Sequence, residues 1–495
     1  MKKLYYSTCS YATPHIGVVM NAIQNDLKEG HEVYFAYCDG ICTSCFKNMD
    51  ANAAKCKLCR ITYHKCIFDK INGVKEFLPI KKSANSEKSV PVYSSLQELK
   101  NIEYKGVHVG LSILSLYFSI TRNIEFDITP QRRKYFDFII NETFNLVDAA
   151  ENLINTVDPD CITIYNGRYY ENRAFYDLSQ IHKLHFESLE VIGGFNEPHY
   201  PVKFTDCLPH DFHFFANKAK EIWRNAPGTD DEKAKIASAF YEKRRNGIVA
   251  CDKVYTGQQI QGMLPELFEG KKNIVIFNSS SDEIAAIGGE WDSEQLFESQ
   301  YECIKHLLSN LPKDCHIYLR IHPNLTGVNH KHHMDLYKLK DLSTQITIIP
   351  PADKISSYSL LDIADKVIVF GSTMGAEACY WGKPAILIGP AFYADLDLAY
   401  RPRNIKEIAP LLSADLQPKD KTGALYYSFY IQNRQERSES VNMKLSPTVH
   451  NLFGKKFKTF SYHTILGSTI LYEAVEVFYR EFLRRFMSDK NRMVK

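Results

Sequence analysis

Short apolar runs of strand length alternate with helical stretches twice along this 495-residue chain, and each alternation opens a series of its own. In the first, Lys3-Leu-Tyr-Tyr-Ser7 reads as a strand, Ala12 to Gly17 as a loop, Val18 to Lys28 as a helix stopped by Gly30, and Glu32 to Tyr37 as the next strand. This is a βαβ unit, which implies a parallel sheet because the helix carries the chain back to start its second strand alongside the first. Asp160 to Tyr165 and Glu187 to Ile192 extend the series, with a helical region from Gln131 to Asn155 to cover one face. The second series starts at Asn273-Ile-Val-Ile-Phe-Asn278. It continues through a helix at Gln300 to Leu311 and apolar runs at His316 to Ile321, Gln345 to Ile349, Val367 to Phe370 and Ala385 to Ile388.

A chain this long outgrows one hydrophobic core, so two domains of roughly 200 residues are expected. The segment from Phe212 to Asn246 is charged and helical, and Gly257 to Gly270 has no strong periodicity, which puts the boundary near residue 265. The expected layout is 1–265, 266–425 and a C-terminal extension over 426–495. In that extension Leu471, Val475, Phe478, Phe482 and Phe486 form one stripe of a helix from Thr469 to Met487. The basic end at Arg484 and Arg485 invites a membrane-surface reading, but the stripe is narrow and Glu473, Glu476 and Glu481 interrupt the polar face. A helix packing back towards the first domain is preferred. The formal net charge of +2, with both signs well mixed, gives no nucleic-acid footprint. The first residues lack the apolar core of a signal peptide, and no run approaches the roughly 18 apolar residues of a membrane span. A cytoplasmic protein is expected, with peripheral association at the inner membrane face left open.

The chemistry-bearing residues cluster where strands end. Arg320-Ile-His-Pro-Asn324 closes an apolar strand with a cation and an imidazole, and Gly371-Ser-Thr-Met-Gly-Ala-Glu377 reads as a strand end, a small-residue turn and a helix start. Beyond the carboxyl ends of parallel strands, such turns let backbone N–H groups approach a phosphate. Arg320 and His322 are candidates for the charge on a diphosphate. Ser372 and Thr373 are candidate hydroxyl donors, and Glu377 a candidate acceptor from ribose. Ser279-Ser280-Ser281-Asp282-Glu283, after the strand that opens the second series, is the other candidate phosphate loop, with Ser280, Ser281 and Glu283 as its site residues. The competing reading of that loop is a capped helix start.

Two Rossmann-like halves, an opening Thr13-Pro-His-Ile-Gly17 before Gly30-His-Glu-Val33, and the Gly-Ser-Thr…Glu stretch followed by Gly382-Lys-Pro384 resemble the GT-B glycosyltransferases. Within that fold, Arg320-Ile-His-Pro323 and Gly371-Ser-Thr373 look like the His-Pro and Ser-Ser/Thr motifs of bacterial sialyl- and Kdo-transferases and related capsule or lipopolysaccharide enzymes. Asn166-Gly-Arg168 and the early cysteines look like features of surface-polysaccharide biosynthesis proteins. The resemblance implies two Rossmann-like domains facing across a cleft, a nucleotide sugar (CMP-, UDP- or GDP-linked) on the second, and a glycan or glycolipid acceptor on the first. It also implies transfer without a catalytic metal. Departure of the phosphate needs positive charge and the acceptor hydroxyl needs a base. His15, in the loop after the first strand, is one candidate base; Glu171, after Asn166-Gly-Arg168, and Asp39, after the second strand, are carboxylate alternatives. Two other functions stay open: a sugar-nucleotide epimerase of the same fold, and an inactive scaffold serving interactions.

Six of the thirteen cysteines crowd between residues 38 and 66. Cys42 and Cys45, then Cys56 and Cys59 ten residues later, have the spacing of two knuckles on one tetrahedral ion, and four thiolates favour structural zinc. Cys38, His64 and Cys66 are spare ligands. An iron–sulfur cluster and a metal-free set of buried thiols are the alternatives. The expectation is a cysteine-rich insertion over 38–66 in the first domain.

Overall fold

The computed structural model describes residues 1–8, 13–68, 71–82, 87–192, 200–248, 254–434, 449–452 and 455–458. The chain forms two compact units, Met1–Pro209 with Gln435–Lys495, and His210–Arg434. The helix expected over 469–487 lies outside the described residues.

The first unit is built on β1 (Lys2–Ser7), α1 (Thr13–Lys28), β2 (Glu32–Cys38), α2 (Ala53–Thr62), β3 (Glu76–Ile80), α3 (Val109–Thr121), α4 (Pro130–Val157), β4 (Cys161–Tyr165), α5 (Tyr170–Ile181), β5 (His185–Ile192) and β6 (Tyr200–Thr205). Its six strands run in the order β3-β2-β1-β4-β5-β6. All neighbours are parallel except β5 with β6. Tyr5 stands between Phe35 and Thr163 in register, at the sheet centre. The apolar alternation buries both faces: Val18, Val19 and Ile23 of α1 pack with Phe35 and Tyr37 on one side. On the other, Tyr6 stacks on Phe175 of α5 at 4.1 Å. Thr129 caps α4 by accepting from the Arg132 N–H at 3.3 Å, and Pro130 takes the first helical position, where its missing N–H costs nothing.

The second unit contains α6 (Phe212–Asn225), α7 (Asp230–Arg245), β7 (Lys272–Phe277), α8 (Gln300–Ser309), β8 (Cys315–Arg320), β9 (Ile346–Ile349), α9 (Ser357–Ile363), β10 (Lys366–Val369), α10 (Met374–Tyr380), β11 (Ala385–Leu387) and α11 (Thr422–Asn433). Its parallel sheet has the order β11-β10-β7-β8-β9. A separate hairpin pairs β12 (Val449–Leu452) with β13 (Lys455–Lys458).

The boundary falls at 209/210, about fifty-five residues before the expected 265, for a packing reason. Phe212, Phe215, Ala216, Ala219 and Trp223 recur at helical spacing on α6 and are buried. Phe215, Ala216 and Ala219, with Phe240 and Tyr241 of α7, share one core with Val275 of β7 and Tyr427 and Tyr430 of α11. The charged helices therefore complete the second unit's core.

Gly423 in α11 is where that core is tightest. A Cβ added there would lie 2.0 Å from the Leu396 carbonyl oxygen, which is backbone and has little room to yield. Gly423→Ala should destabilise the protein by about 1–3 kcal/mol in chemical denaturation. Gly257→Ala, where a Cβ meets nothing within 4 Å, should stay within about 0.5 kcal/mol of wild type. Equal effects at the two positions would refute the packing argument.

Candidate functional site

In a doubly wound sheet the winding direction reverses at one strand pair, and the loops leaving that pair's carboxyl ends part to open a crevice. The strand orders put this switch point between β1 and β4 in the first unit and between β7 and β10 in the second. Each unit has one candidate site there.

In the second unit, three loops after β7, β8 and β10 are laced together. Ser279 Oγ donates to the Phe370 carbonyl at 2.6 Å, joining the two sides of the switch point. Asn278 Oδ1 accepts the His322 N–H at 2.7 Å, and Glu283 accepts from Asn324 Nδ2 at 2.7 Å. Gly371 has φ +91°, and a Cβ there would meet the Pro390 carbonyl at 2.9 Å, so the turn before Ser372 and Thr373 needs glycine twice over. Ser372 Oγ accepts from the Met374 N–H at 3.3 Å, and Thr373 takes the position before α10. His322 is half-buried, its Nδ1 accepting from the Asn324 N–H at 3.1 Å and its ring edge-on to Tyr255 at 5.3 Å.

Some expected donor-site residues are committed elsewhere. Arg320, expected to meet a diphosphate, is 2% exposed and donates to the carbonyls of Pro350 (2.6 Å) and Asp353 (3.1 Å), holding the β9 loop. Glu377, expected to accept from ribose, is 1% exposed; it accepts from Arg244 Nε at 3.2 Å and from the Tyr358 hydroxyl. Arg244 also reaches Thr373 Oγ1 at 3.4 Å, so a cation from α7 braces the β10 turn. Ser280 is buried and donates to Asp282 at 2.9 Å, and it makes no side-chain cap to the short helix after it. Ser281 Oγ accepts from Gln300 of α8 at 2.9 Å, and Gln300 also holds both the N–H and the carbonyl of Ser279. Arg244 and Gln300 escaped sequence reasoning because each sits in an ordinary polar helix with no motif around it.

In the first unit, His15 lies in the first turn of α1, where a loop was expected. Its ring stacks on Tyr165, the last residue of β4, at 4.2 Å and tilts against Phe46 at 5.3 Å, so it bridges the switch point. Tyr165 OH donates to Glu190 at 3.1 Å, and Asn166 Nδ2 donates to the other oxygen of the same carboxylate. Asn166 and Gly167 both have positive φ and turn the chain into α5, whose first turn, not a loop, carries Glu171. Glu171 is 1% exposed. One oxygen accepts the Phe46 N–H at 3.2 Å; the other is buried without a hydrogen-bond partner. Burial therefore pushes its carboxyl up to about 7. Phe46 thus links His15 and Glu171.

Asp39 is placed differently. It follows β2, on the far side of β1 from the switch point, and pairs with Lys81 at 3.5 Å and Arg60 at 3.8 Å. Cys42, Cys45, Cys56 and Cys59 line one small cavity with Cys38. His64 is exposed, its ring against Tyr37, and the side chain of Cys66 lies outside the described residues.

Residues 208–407 match the family described as capsule polysaccharide biosynthesis protein. The match falls almost wholly within the second unit. The match encloses every loop of the β7/β10 site, and it meets the expectation of a surface-polysaccharide protein. No curated protein matches. Among solved structures, the chain is similar to the KpsC β-Kdo 2,4 transferase of Thermosulfurimonas dismutans at 12% identity, over 55% of this chain and 79% of that one, with a TM-score of 0.36. It is also similar to the UDP-GlcNAc 2-epimerase of Neisseria meningitidis, solved with UDP-GlcNAc, at 10% identity over 87% and 98% of the two chains, with a TM-score of 0.28.

The raised pKa of Glu171 has a stability consequence. The folded state holds the proton up to about pH 7, whereas the unfolded chain releases it near 4.5. Stability from this group is full below the unfolded value and falls as pH rises through the folded one. Between about pH 4.5 and 7 the wild type should lose on the order of 3 kcal/mol that Glu171→Gln retains. Urea denaturation of both proteins at several pH values checks this, and parallel curves would contradict it.

Proposed function

We infer that the chain is a glycosyltransferase that extends a bacterial capsule or related surface glycan from a nucleotide-activated sugar. The observation that carries this reading is the capsule-family match over 208–407, because it contains the whole β7/β10 site. The donor is assigned to that site. Its diphosphate or phosphate lies at the Gly371-Ser372-Thr373 turn and the Ser279–Ser281 loop, with His322 beside it. Arg320, Glu377, Arg244 and Gln300 shape those loops from beneath.

The acceptor and the base are assigned to the β1/β4 site. Transfer breaks the bond from the anomeric carbon to the phosphate oxygen and forms one to an acceptor oxygen, whose proton must leave. Glu171 is the preferred base, because a carboxylate titrating at about 7 is a competent proton acceptor near neutrality. The rings of His15, Phe46 and Tyr169 suit the apolar face of a sugar, and Asp39 is set aside because two cations hold it. A glycan on a lipid carrier is the favoured acceptor, which puts the reaction at the cytoplasmic face of a membrane; no described helix is long and apolar enough to cross one. Zinc on Cys42, Cys45, Cys56 and Cys59 belongs to the reading as a structural ion, with no catalytic metal. The nucleotide is CMP, UDP or GDP.

The full chain should gain thermal stability with one nucleotide of a panel of CMP, UDP, GDP and dTDP, since a ligand of the native state raises its apparent stability. His322→Ala should weaken that binding about tenfold. Release of nucleotide from the matching sugar donor should require a capsule-type acceptor. Glu171→Gln should lower kcat on the order of a hundredfold with nucleotide binding intact. Stabilisation by none of the four, or release indifferent to acceptor, would sink the transferase reading, the latter in favour of an epimerase.

A further inference from the structure

The turn after β2 carries more chemistry than glycosyl transfer uses. Cys38, Cys42, Cys45, Cys56 and Cys59 line one cavity together with Asn48, and none of the five is in a disulfide. Cys42 and Cys45 come from the turn. Cys56 and Cys59 stand three residues apart on α2, hence on one helix face. Asn48 ties the two pairs: its Nδ2 donates to Thr43 O at 2.8 Å and to Cys56 Sγ at 3.2 Å, and its Oδ1 accepts the Asn52 N–H at 3.0 Å.

The other side of the same turn rests on two buried carboxylates. The N–H groups of Thr43 and Ser44 donate to Glu142 at 3.1 and 3.3 Å, and that of Phe46 donates to Glu171 at 3.2 Å. Tyr170 donates through its hydroxyl to the Ser44 carbonyl. Glu142 and Glu171 are each 1% exposed. A five-residue turn thus has thiols on one face and the carboxylates of α4 and α5 on the other. Its own apolar packing is slight: Cys45 has only Phe46 as a partner in its hydrophobic cluster.

We propose that Cys42, Cys45, Cys56 and Cys59 bind one zinc ion, and that this ion holds the 43–46 turn against Glu142 and Glu171. The proposal rests on the transferase reading only for the significance of Glu171 as a base. Four thiolates around a divalent cation carry two net negative charges; Lys55 and Arg60 line the same cavity, though each already faces a carboxylate, Asp50 at 3.0 Å and Asp39 at 3.8 Å. Cys38 is left outside the set: it ends β2 and its thiol donates to the Cys42 carbonyl at 3.7 Å. Metal-type donors within 4.8 Å of one another occur, among the described residues, at Asp26, Glu29 and His31 and not among the thiols. Asp26 is already bound to Lys3 and Tyr5. Zinc–sulfur bonds of about 2.3 Å put the four sulfurs roughly 3.8 Å apart, so loading must draw α2 and the turn together. That closure would make the clamp on the carboxylates depend on the ion.

The test uses the full chain, without nucleotide or acceptor. Elemental analysis after dialysis should find about one zinc per chain. The Cys42→Ser/Cys45→Ser and Cys56→Ser/Cys59→Ser double variants should lose it, and Cys38→Ser should keep it. Cobalt replacing zinc should show thiolate-to-metal charge-transfer absorption. In the wild type, chelation should speed hydrogen exchange of the Thr43, Ser44 and Phe46 amides about tenfold or more, with the second unit unchanged. Chelation of the wild type keeps the test valid even where a double variant misfolds. Absence of metal from the purified chain and no uptake by the reduced protein, iron with sulfide in its place, or loss in Cys38→Ser alone would overturn the site. Unchanged exchange at 43–46 on metal removal would overturn the clamp. A failed transferase assay would leave all these results standing.

Discussion

Two parallel pairings, β1 with β4 and β7 with β10, decide where this protein can do chemistry. On each side of these pairs the crossovers wind away in opposite directions, so the loops at the carboxyl ends diverge and leave room for a ligand. Most of the candidate site residues hang on those loops: His15, Tyr165 and Glu171 in the first unit, Ser279 to Ser281 and Gly371 to Thr373 in the second, with His322 joining them from the neighbouring β8 loop. Two charged candidates next to other strands have structural work instead. Asp39 follows β2 and neutralises Arg60 and Lys81; Arg320 ends β8 and ties down the β9 loop. Chemical type alone would not separate these groups, but position relative to the switch point does.

Two buried glutamates show how environment assigns the roles. Glu377 and Glu171 are both 1% exposed and both lie in the first turn of a helix. Glu377 has a guanidinium from Arg244 and a hydroxyl from Tyr358, so its charge is matched inside the protein. Glu171 has backbone N–H groups and no cation, and its proton is held to about 7. A buried carboxylate with a cation is a brace. One without a cation is a candidate acid or base, which is the ground for the role proposed for Glu171.

The alternation of apolar runs made the sheets legible, because a parallel strand buried on both faces is apolar throughout and is bounded by polar turns. Strands β1, β2, β4, β5 and β7 to β11 were readable for that reason, whereas antiparallel β6, with Lys203 and Thr205 in it, had no such signature. Helix beginnings were less clear. Pro14 and Gly17 suggested a loop, yet proline is at home in a first helical turn, and His15 therefore moved from loop to helix. The domain boundary was missed because charge on α6 and α7 hid a buried stripe from Phe212 to Trp223. Motifs marked where the β8 and β10 loops are but not which atoms face outward. Arg320 and Glu377 look like ligand groups in one dimension and are supports in three.

The two candidate sites are stiffened in different ways, and the difference bears on the ligands proposed for them. The β7/β10 site is held by hydrogen bonds between loops, through Asn278, Ser279, Gln300 and Arg244, and it presents small side chains and backbone. Such a surface can approach a charged, strongly hydrated group closely and replace its water with fixed dipoles. The β1/β4 site is held by ring contacts among His15, Phe46, Tyr165 and Tyr169 and by a turn resting on buried acid. Rings offer little to a phosphate, but they cover the C–H face of a sugar and exclude water around a carboxyl that must stay protonatable. The sheet topology permits a ligand at both places; on the proposed reading, the side chains suit one to phosphate and the other to a sugar hydroxyl.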